Sequence, residues 1–150
     1  FIEKIKMKNF KVKLDTNGSR PDIIKKLIDN ELVDYIAMDI KSSLAKYSDY
    51  SDNNEIGDKV IESIELIKNS EVDYEFRTTV VPVLHDENDI KEIAKNVKGS
   101  KNFTIQNFRG ERTYNKDFEN KIKYEYISFK GFSPQYTISE LIDRQFYKEV

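Results

Sequence analysis

The sequence contains no cysteine and a single histidine, His85. The first absence excludes disulfides, thiolate metal sites and cysteine nucleophiles within these 150 residues; the second excludes a histidine-rich metal centre. No apolar run approaches the ~20 residues of a membrane helix, and no secretory signal pattern is visible. Both absences predict a soluble, cytoplasmic protein with no membrane partner. Charge of one sign is also lacking: 25 basic against 27 acidic residues leave a formal net charge of -2. That balance argues against nucleic acid as a partner, and no glycine-rich phosphate loop is present. The charged fraction of 35% mixes both signs, as solvated helix faces do.

What is there is a regular alternation. Residues 11–15 read as a strand with Val12 and Leu14 on one face. Pro21 suits a helix start, and Ile23, Ile24, Leu27 and Ile28 recur at helical spacing up to Asn30. "VDYIAMDI" (33–40) is a nearly continuous apolar run, as in a strand covered on both faces. A polar loop follows, then a helix with Ile56, Val60, Ile61, Ile64 and Ile67 as its stripe. "VDYEFRTTVVPV" (72–83) reads as a strand closed by Pro82, 87–97 as a helix, and "NFTIQNF" (102–108) as a fourth strand. The order predicts an α/β fold of parallel βα units with right-handed crossovers. Residues 109–135 are less regular, and 137–147 form a last helix led by a Thr137/Glu140 capping box. The chain begins at Phe1 inside a helical pattern and ends at Val150 in an apolar segment, which predicts a piece of a longer polypeptide.

In parallel βα sheets, ligands bind at the carboxyl ends of the strands. The first strand delivers Asp15 and Thr16 there, and the second Asp39 and Lys41. The third carries Arg77, Thr78 and Thr79, and the fourth Gln106, Asn107 and Arg109. A charge in an apolar strand costs several kcal/mol unless it is paired or wetted, so four such strands predict a shared rim. Its two signs suit a zwitterion with an ammonium and a carboxylate. Plainer readings stand beside this one. Asp15 can open an Asx-turn, Asp39 and Lys41 can form an ordinary ion pair, and Arg77 can bridge to an aspartate on the next strand. His85 reads as a surface residue, and the tyrosine-rich segment 114–136 as packing.

"VKLDTNGSRP", "LVDYIAMDIKSSLAKY", "YEFRTTVVPVLH" and "FTIQNFR" together resemble the radical S-adenosylmethionine (SAM) activating enzymes. The likeness is strongest to the activating proteins of anaerobic ribonucleoside-triphosphate reductase, relatives of pyruvate formate-lyase activating enzyme. It runs from about Phe10 to Arg109. The resemblance implies a partial (β/α)6 TIM barrel, with residues 1–109 supplying about its third to sixth strands and 110–150 an extension or final segment. It implies SAM and a [4Fe-4S] cluster as cofactors, with the cluster's Cys-x3-Cys-x2-Cys loop and the Gly-Gly-Glu motif absent from this chain. The implied activity is reductive cleavage of SAM to a 5′-deoxyadenosyl radical that takes a hydrogen from a glycine of a partner glycyl-radical enzyme. The piece alone is expected to be inactive. Carried over by position, Asp15, Thr16 and Asp39 match residues lining a cation and SAM site. Lys41 matches the lysine of an Asp-x-Lys motif, and Arg77, with Thr78 beside it, matches a strand arginine that meets the SAM carboxylate. Gln106 to Arg109 fall near the adenine, where "QNFR" replaces the "PYH" of pyruvate formate-lyase activases and favours the reductase type. Two other expectations are a barrel lyase or aldolase with Lys41 as Schiff-base amine, and a non-catalytic binding domain. Unpaired sheet edges would also favour self-association.

Overall fold

A computed structural model describes residues 1–50, 55–81, 84–108 and 127–130. The elements are α1 (Ile2–Lys6), β1 (Lys13–Thr16), α2 (Pro21–Asp29), β2 (Tyr35–Asp39), α3 (Ile56–Lys68), β3 (Asp73–Val80), α4 (Glu87–Asn96), β4 (Asn102–Asn107) and β5 (Ile127–Lys130). A 3-10 helix, Leu44–Tyr50, lies in what the sequence suggests is a plain polar loop. Strands β1 to β4 are parallel and pair in chain order, and β5 runs antiparallel against β4. The four parallel strands bear out the α/β expectation. The antiparallel strand falls in a region read as irregular, where mixed polar and aromatic residues give no clean period. The expected helix over 137–147 and the tyrosine-rich segment up to residue 126 lie outside the described residues.

Strand order explains why the sheet has two unlike faces. Consecutive right-handed crossovers between neighbouring parallel strands place every helix on the same side. A doubly wound sheet would reverse direction at a switch point and cover both sides. Here one cluster joins the helices and one face of the strands: Ile24, Ile64, Ile67, Ile90 and Ile93 with Ile36, Met38, Phe76, Phe103 and Ile105. Such a singly wound sheet is compatible with an arc of a barrel. Burial is worth roughly 1.5–3 kcal/mol for each large apolar side chain, so this face sets the strand register. Ile23, read as part of the α2 stripe, points outward and is exposed.

The other face of the sheet is polar. Along β3 the burial alternates strictly, with Tyr74, Phe76, Thr78 and Val80 toward the helices and Asp73, Glu75, Arg77 and Thr79 away from them. Strand β1 alternates likewise, with Lys13 and Asp15 on the more exposed side. Among the described residues of β1 to β4 only Ala37 and Thr104 are buried on that side, so the expectation that β2 is covered on both faces holds for its middle and not for Tyr35 or Asp39.

The turn after β1 is fastened by its own residues. Thr16 Oγ1 accepts from the Gly18 N–H at 3.1 Å and Asn17 Oδ1 from the Ser19 N–H at 3.1 Å. Gly18 has φ +74° and packs under α3, where Ser63 Oγ donates to its carbonyl at 2.7 Å. The "DTNG" sequence is therefore a locked turn.

Candidate ligand site on the polar sheet face

Register places Asp15 beside Ala37, Ala37 beside Glu75, and Asp39 beside Arg77. The Arg77 guanidinium lies across these rows. Its Nε donates to Asp39 Oδ1 at 2.8 Å, and its Nη2 reaches past β2 to Asp15 Oδ1 at 2.9 Å. Ala37, between Asp15 and Glu75, has only a methyl group, which leaves room for that reach. Lys41 Nζ donates to the other Asp39 oxygen at 3.0 Å. Glu75 lies 3.9 Å from Arg77 Nη1, and Lys13 bridges Glu75 at 3.8 Å and Asp15 at 3.9 Å. Three cations and three carboxylates thus share one face.

Exposure grades across this group. The Arg77 side chain is 17% exposed, that of Asp39 31% and that of Asp15 58%. Burial alone would push the Asp39 carboxyl up, but hydrogen bonds from Lys41 and Arg77 outweigh it and hold the group below the ordinary carboxylate range. Burial would also lower Arg77, and the Asp39 and Asp15 carboxylates reverse that. Burial, then the Glu75 and Asp73 carboxylates, push the nearby Tyr35 hydroxyl up.

The Asp39 shift has a consequence for stability. Its carboxyl is lower in the folded than in the unfolded chain, so it contributes stability above the unfolded value. That contribution is lost as pH falls through the folded value. An Asp39→Asn chain should therefore be less stable than wild type at neutral pH, and the difference should shrink to nothing in acid below the carboxylate range. Urea unfolding across that pH range measures it; a constant difference at all pH would contradict the role of the charge.

Four of the residues expected at the rim do meet: Asp15, Asp39, Lys41 and Arg77. Gln106 shares their face one step along, where Thr79 Oγ1 and Gln106 Oε1 are 3.3 Å apart. Thr16 and Thr78 do not join them. Both alternate to the helix side, where Thr16 closes its own turn and the buried Thr78 hydroxyl has no hydrogen-bond partner. Arg109 lies outside the described residues. His85, expected at the surface, is 6% exposed and bonded through both ring nitrogens. Glu75, Lys13 and Tyr35 carry no signal of their own in the sequence, whereas Thr79, expected at the rim, does share this face. A count of two along each strand from Arg77 and Asp15 would have found all but Tyr35.

The plain expectation for Arg77, a bridge to an aspartate on the next strand, is met by Asp39, and the bond to Asp15 goes one strand further. Lys41 Nζ lies in an ion pair with Asp39, with its side chain about half exposed at 51%. Among the described residues no group of three or more potential ligating side chains could hold a metal ion. No helix among them is long and apolar enough to cross a membrane.

Over 118 residues, 76% of this chain, the sequence is 42% identical to a Methanocaldococcus jannaschii protein named "Putative glycyl-radical enzyme activating enzyme". The chain is its homologue. That identity supports the activating-enzyme resemblance carried by the strand motifs, and the residues on the polar face are the ones those motifs contain. The match covers 49% of the relative, so the chain spans about half of that protein's length. No family model matches the sequence. No solved structure matches it.

Proposed function

We propose that this chain forms the SAM-binding arc of a radical SAM enzyme that activates a glycyl-radical enzyme in the cytoplasm. Residues 1–109 would belong to its partial barrel and 110–150 to an extension or final segment. The partner class favoured by "QNFR" (106–109) is the anaerobic ribonucleoside-triphosphate reductase. The observation that carries this reading is the Asp39–Arg77–Asp15 bridge on the sheet face opposite the helices. A guanidinium fork with donors left at Nη1 suits a carboxylate, and Asp15, with one oxygen bound to Arg77 and more than half its side chain exposed, suits an ammonium. The amino-acid end of SAM offers both.

Within that site Arg77 would take the carboxylate, Asp15 and Asp39 the ammonium, and Lys41 would keep Asp39 ionised and oriented. Thr79 and Gln106 extend the same face with neutral polar groups, on the side where the nucleoside would lie. SAM, bound beside a [4Fe-4S] cluster, would supply the hydrogen-abstracting chemistry. The cluster does not fit these 150 residues, because no cysteine is present to ligate it. On this reading the ligands belong to a cysteine-bearing segment outside them, and the 150-residue chain alone binds little SAM and turns nothing over.

The test uses the enzyme with that segment, its cluster reconstituted anaerobically, mixed with the reductase, SAM and a reductant. A SAM-dependent glycyl-radical signal in electron paramagnetic resonance is expected. A native polypeptide without a cysteine triad, or a reconstituted enzyme giving no such signal, would overturn the reading.

A further inference from the structure

The histidine that the sequence places at the surface is instead joined to the residue that carries the site lysine. The Lys41 backbone is held on both sides by side chains. Its N–H donates to Tyr47 Oη at 2.8 Å, and its carbonyl accepts from His85 Nε2 at 2.8 Å. The other ring nitrogen, Nδ1, accepts from the Val81 N–H at 3.0 Å. These bonds fix the tautomer. A ring nitrogen that accepts carries no proton, and a carbonyl can only accept, so the proton sits on Nε2.

The bonding continues along the segment that starts at Lys41. Ser43 Oγ donates to Asp89 Oδ1 at 2.7 Å, Lys46 Nζ donates to Asp89 Oδ2 at 2.6 Å, and the Leu44 N–H donates to Glu92 Oε1 at 2.7 Å. Asp89 is 4% exposed and also accepts from the Asp86 N–H at 2.9 Å, within the capping box of α4. His85 precedes α4, and Asp89 and Glu92 lie on it; α4 follows β3, whereas Lys41 follows β2. Burying these polar groups is costly unless each is bonded, and each is, to the same short stretch of chain.

We propose that His85, supported by Asp89 and Glu92, is a positioning residue that clamps the Lys41 backbone and so places the Lys41 ammonium on Asp39. The ring touches no ligand atom. It acts by fixing the direction in which the chain leaves β2, and its consequence for ligand binding rests on the polar face being the SAM site.

Two substitutions separate the two ring bonds. Glutamine can place an amide donor near Nε2, and asparagine can place only an acceptor near Nδ1. Hydrogen exchange of the Lys41 amide, which Tyr47 holds, should be as slow in His85→Gln as in the wild-type chain, and roughly tenfold faster in His85→Asn, because the local opening that exposes it no longer has to break the His85 bond to the Lys41 carbonyl as well. The Asp39 carboxyl should titrate as in wild type in the first and upward-shifted in the second. Equal behaviour of the two variants, whether both unchanged or both altered, would overturn the clamp. If neither variant folds, nitrogen NMR of the wild-type ring decides: a proton on Nδ1 overturns the proposal, and a proton on Nε2 with through-bond coupling to the Lys41 carbonyl supports it. None of these readouts needs a ligand. In the reconstituted enzyme His85→Asn should weaken SAM binding about tenfold and His85→Gln should not; equal affinities would overturn the positioning role. Failure of the wild-type enzyme to bind SAM would count against the proposed function and leave the clamp standing on its own measurements.

Discussion

An Arg77→Ala chain is expected to lose about 2 kcal/mol of stability and, in the reconstituted enzyme, to bind SAM at least tenfold more weakly. The stability figure follows from the bonds removed. A hydrogen bond to a charged group contributes about 1.5–3 kcal/mol, and the cost is largest when the partner is left buried and unpaired. Asp39 meets that condition only in part, because its side chain is 31% exposed and Lys41 remains on its other oxygen, which keeps the cost near the lower end of that range. The bond to Asp15 counts for much less, because that carboxylate is more than half exposed and water replaces the lost donor. Removing the guanidinium should also let burial raise the Asp39 carboxyl, now opposed only by Lys41. Arg77→Lys keeps the charge but presents one ammonium where a planar fork served two strands, so it should recover less than half of the loss. Urea unfolding and carbon NMR of Asp39 measure both effects. A stable Arg77→Ala chain with Asp39 unmoved would reduce the bridge to a surface ion pair without energetic weight.

A Gly18→Ala substitution should be as damaging to the fold, for a different reason. At φ +74° an L-residue pays about 1–2 kcal/mol. The added Cβ would also fall 2.1 Å from Met38 Cε, in the core beneath the turn. Met38 Cε is the free end of a flexible side chain, so turning it aside in the core costs about 1 kcal/mol, the low end for overpacking. Together they predict a loss of about 2–3 kcal/mol and, for a chain of this size, a fall in Tm of roughly 4–12 °C. Pairing the change with Met38→Ala should relieve the steric part and leave the backbone part, so the double variant should lose less than the sum of the two singles. Strict additivity would show that Met38 is not what obstructs the methyl group. Thermal unfolding followed by circular dichroism suffices for all three chains.

The glycine shows how much of a site can be read along a chain. Asp, Thr, Asn and Gly in succession announce a turn whatever surrounds them, because their backbone preferences are local. That a methyl group at Gly18 would meet Met38 depends on the packing of another element against the turn. His85 is the sharper case. Its neighbours Asp86 and Glu87 argue for solvent, yet Lys41 lies 44 residues away in sequence and accepts its ring proton. No local pattern encodes a partner at that separation. Thr78 and Thr79 make the same point within one strand, since chemistry alone treats them alike and only alternation sends one to the core and the other to the site.

By itself the sequence determined the order of strands and helices, the parallel sheet, and the four charged residues that meet on it. Those follow from apolar periodicity, from turn-forming residues and from the cost of putting charge in a strand, all of which are written locally. Tertiary structure decided which face each polar residue took, that Arg77 spans three strands over Ala37, and that a buried histidine holds Lys41. These depend on register, on the crossover helices of the described residues lying on one side of the sheet, and on hydrogen bonds between residues far apart in the chain. Such contacts exist only once the strands are side by side.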